Sequence, residues 1–144
     1  EFYCYKFRSM APNKNADYIQ ATKNDMRITK TGKFIRKTSI DELPQFYNVL
    51  FGTMSVVGPR PHMVKHTNEY ATSVDKYMVR HFVKPGITGL AQVRGYRGEI
   101  EQEADIQNRI KFDIFYIENW SLFLDLKIIV QTVLNAFKGE AKAY

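Results

Sequence analysis

The chain has 144 residues, with 21 lysines and arginines against 15 aspartates and glutamates, a formal net charge of +6 and an isoelectric point near 9.4. That length suits one domain, able to bury roughly 68–70% of the surface its unfolded form would expose. With 44% apolar residues, ten Phe and nine Tyr it is no disordered tail, and a single cysteine, Cys4, excludes a disulfide scaffold.

Residues 2–9 alternate aromatic with small or charged side chains and predict a short strand, followed by a loop at Pro12-Asn13-Lys14-Asn15. The opening shows neither a signal-peptide core nor a transit pattern and has no initiator Met, so the chain reads as the globular remainder of something longer. Residues 28–37 read as an approach segment with a turn at Thr31-Gly32 and an apolar anchor at Phe34-Ile35. Leu43, Phe46, Tyr47 and Leu50 recur with helical period and predict a helix over 40–51, stopped by Gly52. Residues 53–57 favour a strand, and Gly58-Pro59-Arg60-Pro61 is a stiff turn.

Two short helical patterns fill 62–82 with a break near 71–74, and the glycine-punctuated stretch 84–95 reads as loop and extended backbone. Periodic apolar residues predict long helices over 99–118 and 121–138, the second capped by Ser121. The segment Trp120 to Phe137 is interrupted by Asp125 and Lys127 and falls short of a spanning helix, which predicts a soluble or peripheral domain. The fold class is α+β, predominantly helical. It has short irregular strands near the N-terminus and around 53–57 and 87–94, and two long C-terminal helices.

Asp41-Glu42 is the first candidate for chemistry. Ser39-x-x-Glu42 matches a capping box, which gives these carboxylates a purely local reading, but Pro44 sits awkwardly for a helix that starts at Ser39. In Gly58-Pro59-Arg60-Pro61 a guanidinium is held between two restricted prolines, a pre-set anion contact or a solvated turn. The glycine-rich stretch 85–95 with Arg94 could bring backbone N–H groups to an anion, though it lacks the spacing of a P-loop or a dinucleotide fingerprint. His62 and His66 would share a helix face without a third ligand, so packing outweighs a metal reading. Cys4 reads as inert packing, and Phe112, Phe115, Tyr116 and Trp120 as core or interface residues. The scattered cations suit nucleic acid, anionic lipid or phosphorylated substrates alike.

Several blocks taken together carry a resemblance: Tyr5-Lys6-Phe7-Arg8-Ser9-Met10, Ile35 to Gln45, Asn48-Val49-Leu50, Met54 to Pro61, and Lys84-Pro85-Gly86-Ile87-Thr88-Gly89. In this order the chain resembles the bacterial sugar transferases, polyprenyl-phosphate hexose-1-phosphate transferases that start capsule, O-antigen, exopolysaccharide and glycan assembly. The resemblance spans nearly all of residues 1–144 as a single catalytic domain. It implies that a nucleoside-diphosphate sugar, by family expectation a UDP-sugar, gives its sugar phosphate to polyprenyl (undecaprenyl) phosphate and leaves UMP. It implies Asp41 and Glu42 as the catalytic dyad, with Asp41 the nucleophile that forms a phosphosugar intermediate, and Mg²⁺ held through Asp41 or Glu42. Lys6, Arg36, Arg60 and Arg94 would clamp phosphoryl oxygens, and Pro59-Arg60-Pro61 would meet the nucleotide. It also implies a membrane segment upstream, an anionic membrane surface as partner, and a place at the cytoplasmic face of the bacterial inner membrane. Composition alone leaves a basic nucleic-acid-binding module as an alternative, and a non-catalytic scaffold as a third; the dyad and Arg60 count against the scaffold, and the family reading involves no nucleic acid.

Overall fold

The computed structural model describes residues 1–12, 21–22, 25–98, 100 and 102–138. Its first element contradicts the sequence reading: Lys30–Lys37 is a helix, α1, not a turn followed by an anchor. Thr29 caps it, the threonine oxygen accepting from the Gly32 N–H at 2.9 Å. Gly32 therefore marks close packing and not a turn, because a side chain there would overlap the Ser9 carbonyl. The expected strand at 2–9 is also absent as a regular element, since only an isolated antiparallel bridge, Met10 to Ile28, forms there. Among the described residues no strand pairs along 2–9; a buried side-chain amide does so instead. Asn48 accepts from the Tyr5 N–H at 3.0 Å and donates to the Tyr3 carbonyl at 2.7 Å.

The helix expected over 40–51 is split by Pro44. A 3-10 turn, Ile40–Glu42, comes first, and α2 then runs Gln45–Leu50 with Gly52 beyond its end at φ +75°. Ser39 makes no capping bond and lies at φ +58°, so the capping box does not form. The face of this segment is inverted as well: Asp41, Glu42, Gln45 and Asn48 are buried, while Leu43, Phe46, Tyr47, Leu50 and Phe51 are exposed.

Strand β1, Ser55–Val57, runs parallel to β2, Gly86–Thr88, with Ser55 opposite Gly86 and Val57 opposite Thr88. A parallel pair needs a long crossover, supplied by α3, Val64–Ser73, and a 3-10 helix, Tyr77–Phe82, with the break near the expected place. The strand around 87–94 is shorter than expected, because Leu90–Val93 turns into a helix, α4. The two long helices are α5, Glu103–Glu118, and α6, Leu122–Lys138, with the Ser121 hydroxyl accepting from the Leu124 N–H at 3.2 Å. The first residues of the helix expected from 99 lie partly outside the described residues.

Helix α5 joins two apolar clusters. At one end Tyr116 packs with Val57, Leu90 and Ile128; at the other Ile106 and Ile110 pack with Val74 and Tyr77. The α+β, mostly helical class holds, built on a two-stranded sheet. Among the described residues no helix is long and apolar enough to cross a membrane.

Candidate functional site

The chain carries its carboxylate pair on the three-residue 3-10 turn. Because a 3-10 helix advances about 120° per residue, adjacent side chains leave it in different directions, and Asp41 and Glu42 meet different surroundings. Glu42 collects cations. Lys6 reaches its Oε1 at 3.0 Å, Arg60 the same oxygen at 2.7 Å, and Arg97 its Oε2 at 2.9 Å. Asp41 is also buried, at 8% exposure, but forms no ion pair among the described residues.

The protonation behaviour of the two follows from that difference. Burial by itself would raise Glu42, but Arg60, Lys6 and Arg97 overcome it and hold the carboxyl well below the usual range. Burial raises Asp41, and the neighbouring Glu42 charge raises it further, against the pull of Lys6, Arg36 and Arg97. Burial likewise pushes the half-buried Cys4 thiol up, which makes it a poor nucleophile.

Each cation is placed by a separate device. The N–H groups of Tyr5 and Phe7 are pinned to Asn48 and to the Asp41 carbonyl, the second at 2.9 Å, which fixes Lys6 between them. Arg60 sits between prolines in a turn whose Pro59 carbonyl accepts from the Gly86 N–H at 2.9 Å. Arg97 follows Gly95, at φ +91°, and Tyr96, whose ring packs on Phe112 with centroids 5.6 Å apart. Arg36 donates to the Ser9 hydroxyl at 3.3 Å and acts on Asp41 through its charge. Arg94 is exposed at the end of α4, whereas Arg97, three residues on, reaches Glu42. The sequence reading had no local signal that separates these two arginines.

The glycine-rich stretch does not form an anion cradle. A side chain at Gly86 or Gly89 would overlap the Gly58 backbone, so these glycines serve close packing of two chain segments, and the Gly86 N–H is spent on Pro59. The histidines hold no metal arrangement either: His62 contacts Tyr77 and Arg80, and the His66 ring lies against Tyr70 at 6.0 Å. Phe112 and Tyr116 pack inside, while Phe115 and Trp120 are largely exposed, the indole N–H donating to Asp125 at 3.2 Å.

The donor set for a divalent cation is uneven. Among the described residues no group of three or more His, Cys, Asp and Glu side chains could hold a metal ion. Glu42 has both oxygens engaged by cations, so a metal there would add positive charge to a carboxylate already neutralised. Asp41 offers oxygens without a competing cation contact, and fits Mg²⁺ as one ligand beside phosphate oxygens and water.

The family model described as bacterial sugar transferase matches residues 1–139. A UDP-glucose:undecaprenyl-phosphate glucose-1-phosphate transferase of Klebsiella pneumoniae is 60% identical over 134 residues, which is 92% of this chain and 29% of that protein. The protein of the same name from Escherichia coli K12 is 51% identical over 95% of this chain and 30% of its own length. A UDP-N-acetylgalactosamine-undecaprenyl-phosphate N-acetylgalactosaminephosphotransferase of Aeromonas hydrophila is 45% identical over 96% of this chain and 33% of its own. The chain thus spans about a third of the length of these relatives.

Proposed function

Because the chain belongs to the bacterial sugar transferase family, we propose that it carries the chemistry of a polyprenyl-phosphate hexose-1-phosphate transferase. The observation that carries this reading is the division of labour in one dyad: Glu42 is locked by Lys6, Arg60 and Arg97, and Asp41 is buried beside it without an ion pair. A carboxylate is already ionised at neutral pH, so a nucleophilic role needs alignment and relief of charge repulsion more than it needs a base.

An Asp41 oxygen attacks the sugar-linked phosphorus of a UDP-sugar, and the bridging P–O bond breaks, releasing UMP and leaving an aspartyl phosphosugar. A phosphate oxygen of undecaprenyl phosphate then attacks the same phosphorus; the Asp41–phosphorus bond breaks, giving the lipid diphosphate sugar and free Asp41. Lys6, Arg60 and Arg97 exceed the charge of the single carboxylate they share, so they can neutralise incoming phosphoryl oxygens while orienting Glu42. Arg36 adds charge on the Asp41 side, and Arg60 in its proline turn faces the nucleotide diphosphate. Mg²⁺, held by Asp41 and the diphosphate, would draw charge from the leaving phosphate.

Support for a membrane-surface setting comes from the surface itself. Leu43, Phe46, Tyr47, Leu50 and Phe51 around α2, and Leu122, Phe123, Leu126 and Phe137 on α6, are exposed apolar side chains, while Lys30, Lys33 and Lys37 line the neighbouring basic helix α1. An anionic lipid surface at the cytoplasmic face of the inner membrane suits both, and places the domain where the lipid acceptor lies. The reaction would start assembly of a surface glycan.

The test is release of UMP from a panel of UDP-sugars by membranes carrying the whole protein, with undecaprenyl phosphate and Mg²⁺, beside Asp41→Asn. Lipid-dependent release that is lost in the variant is the expected result. Sugar-phosphate transfer that persists at the native rate in Asp41→Asn would remove the nucleophile assignment.

A further inference from the structure

Beneath the Arg60 turn lies a second polar cluster that the proposed reaction does not use: His62, Tyr77, Arg80, Arg109 and Asp113. Arg80, Arg109 and Asp113 are at most 5% exposed. Arg80 Nη2 lies 2.9 Å from Asp113 Oδ2 and donates to the Arg60 carbonyl at 2.6 Å. Its Nη1 lies 2.7 Å from His62 Nδ1, and Arg109 Nη1 lies 3.3 Å from the other ring nitrogen.

A neutral imidazole has one lone pair, and a guanidinium can only donate. The 2.7 Å contact therefore assigns the lone pair to Nδ1, facing Arg80, and the proton to Nε2. The Tyr77 hydroxyl, 2.8 Å from the same nitrogen, shares it as a second donor. Arg109, left facing an N–H, takes its hold on the Gly98 carbonyl at 2.8 Å, next to Arg97. Burial, and then the charges of Arg80 and Arg109, keep the His62 ring unprotonated.

The turn has a reason to need this grip. Pro59 and Pro61 supply no N–H, so the turn around Arg60 is held through its carbonyls: Pro59 by the Gly86 N–H, Arg60 by Arg80. A buried arginine against one carboxylate, with its Nε unpartnered among the described residues, is a poor device for stability alone.

We propose that His62, through the lone pair on Nδ1, is a positioning residue: with Asp113 it holds Arg80 so that Arg80 grips the Arg60 carbonyl and sets the reach of Arg60 to Glu42 and to the donor phosphates. This rests on the transferase reading above. The groups facing the ring are Arg80 and Tyr77 at Nδ1, Arg109 at Nε2 and the Tyr70 ring 6.1 Å away, with Arg60 and His66 adding charge from further off.

The test compares His62→Asn, His62→Gln and His62→Phe in membranes carrying the whole protein. Asn places an acceptor oxygen where Nδ1 stood; Gln carries it outward to the Nε2 side. His62→Asn is expected to stay within about threefold of the native kcat/KM for the UDP-sugar, and the other two to fall by about tenfold to a hundredfold, the scale on which a small misplacement acts. In an Arg60→Ala background His62→Phe should cost less than about twofold more, because the group it positions is gone. Asn and Gln equally impaired, or His62→Phe and Arg60→Ala losses that multiply, would overturn the proposal. If His62→Phe fails to fold, the Asn and Gln pair decides. If the native protein releases UMP from no donor, the transferase reading fails by itself, and ¹⁵N spectra of the histidine rings judge His62 separately. A ring that stays in the Nε2–H form down to pH 5 supports it; a ring protonated on Nδ1 at pH 7 overturns it.

Discussion

Replacing Glu42 by Gln keeps the shape of the side chain and removes the charge on which Lys6, Arg60 and Arg97 converge. The Glu42 side chain is 8% exposed and those of Lys6, Arg60 and Arg97 are 40%, 21% and 19% exposed, so water screens the cations more than the acceptor. Breaking a buried pair costs about 3–5 kcal/mol and an exposed one about 0–1, which places Glu42→Gln at a loss of about 2–3 kcal/mol. For a chain of this length that is a fall in Tm of roughly 5–12 °C. Asp41→Asn should move the other way. Asp41 is buried, repelled by Glu42 and without an ion pair, so its neutral amide leaves stability unchanged or raises it by up to about 1 kcal/mol.

The pH dependence separates the two again. The Glu42 carboxyl sits below its unfolded value of 4.5, so its contribution is fully present above that pH and is lost as the pH falls through the folded value. The gap between native chain and Glu42→Gln must therefore narrow from pH 7 towards pH 3. Asp41 is raised, so its ionised form burdens the fold at pH 7 and the advantage of Asp41→Asn fades on acidification. Urea titrations of the chain followed by circular dichroism at several pH values measure both. An Asp41→Asn chain as unstable as Glu42→Gln at pH 7, or a Glu42→Gln gap that does not shrink by pH 3, refutes the reasoning.

The acid limb of kcat/KM should lie above the ordinary aspartate value of 3.8, because the proposed nucleophile is disabled as the pH falls through a raised Asp41 pKa; a pH–rate profile of UMP release still flat at pH 4 would contradict this. Gly89→Ala drives a methyl into the Gly58 carbonyl at the head of the Arg60 turn, and should cost about 1–3 kcal/mol in urea titrations and slow UMP release as well. Gln45 is 1% exposed with its Oε1 unpartnered among the described residues, so Gln45→Met should be neutral or stabilising, by up to about 2 kcal/mol; a loss above about 1 kcal/mol would show that the amide is satisfied.

The parts of the fold legible in the sequence are those governed by neighbours along the chain. The periods of α5 and α6, the Ser121 cap, the Gly52 stop and the stiff proline turn all form as read. What failed depended on distant contacts. Helical period says that two faces differ, not which one meets the core, and here the polar face turns inward, Glu42 to Lys6, Arg60 and Arg97 and Asn48 to the backbone of Tyr3 and Tyr5. Gly32 read as a turn because its real reason, the Ser9 carbonyl against its backbone, lies more than twenty positions back. Of two arginines near Gly95, Arg94 closes α4 and Arg97, beyond the left-handed Gly95, reaches Glu42, a difference set by the path of the chain after the helix.

The three partners of Glu42 lie 36, 18 and 55 positions from it in sequence, so its ion pairs tie the N-terminal segment, the proline turn and the chain ahead of α5 to one carboxylate. The residue proposed to form the covalent intermediate makes none of these ties. That separation has a chemical consequence. In the proposed reaction the Asp41 carboxylate becomes an acyl phosphodiester, its negative charge passing to the phosphoryl oxygens, and is regenerated without dismantling the ion pairs that hold the site, because the oxygens that react are not the oxygens that bind the segments. The conserving device is the 3-10 turn: continuing as an α-helix would bring successive side chains about 20° closer together around the axis, and Pro44 prevents that continuation.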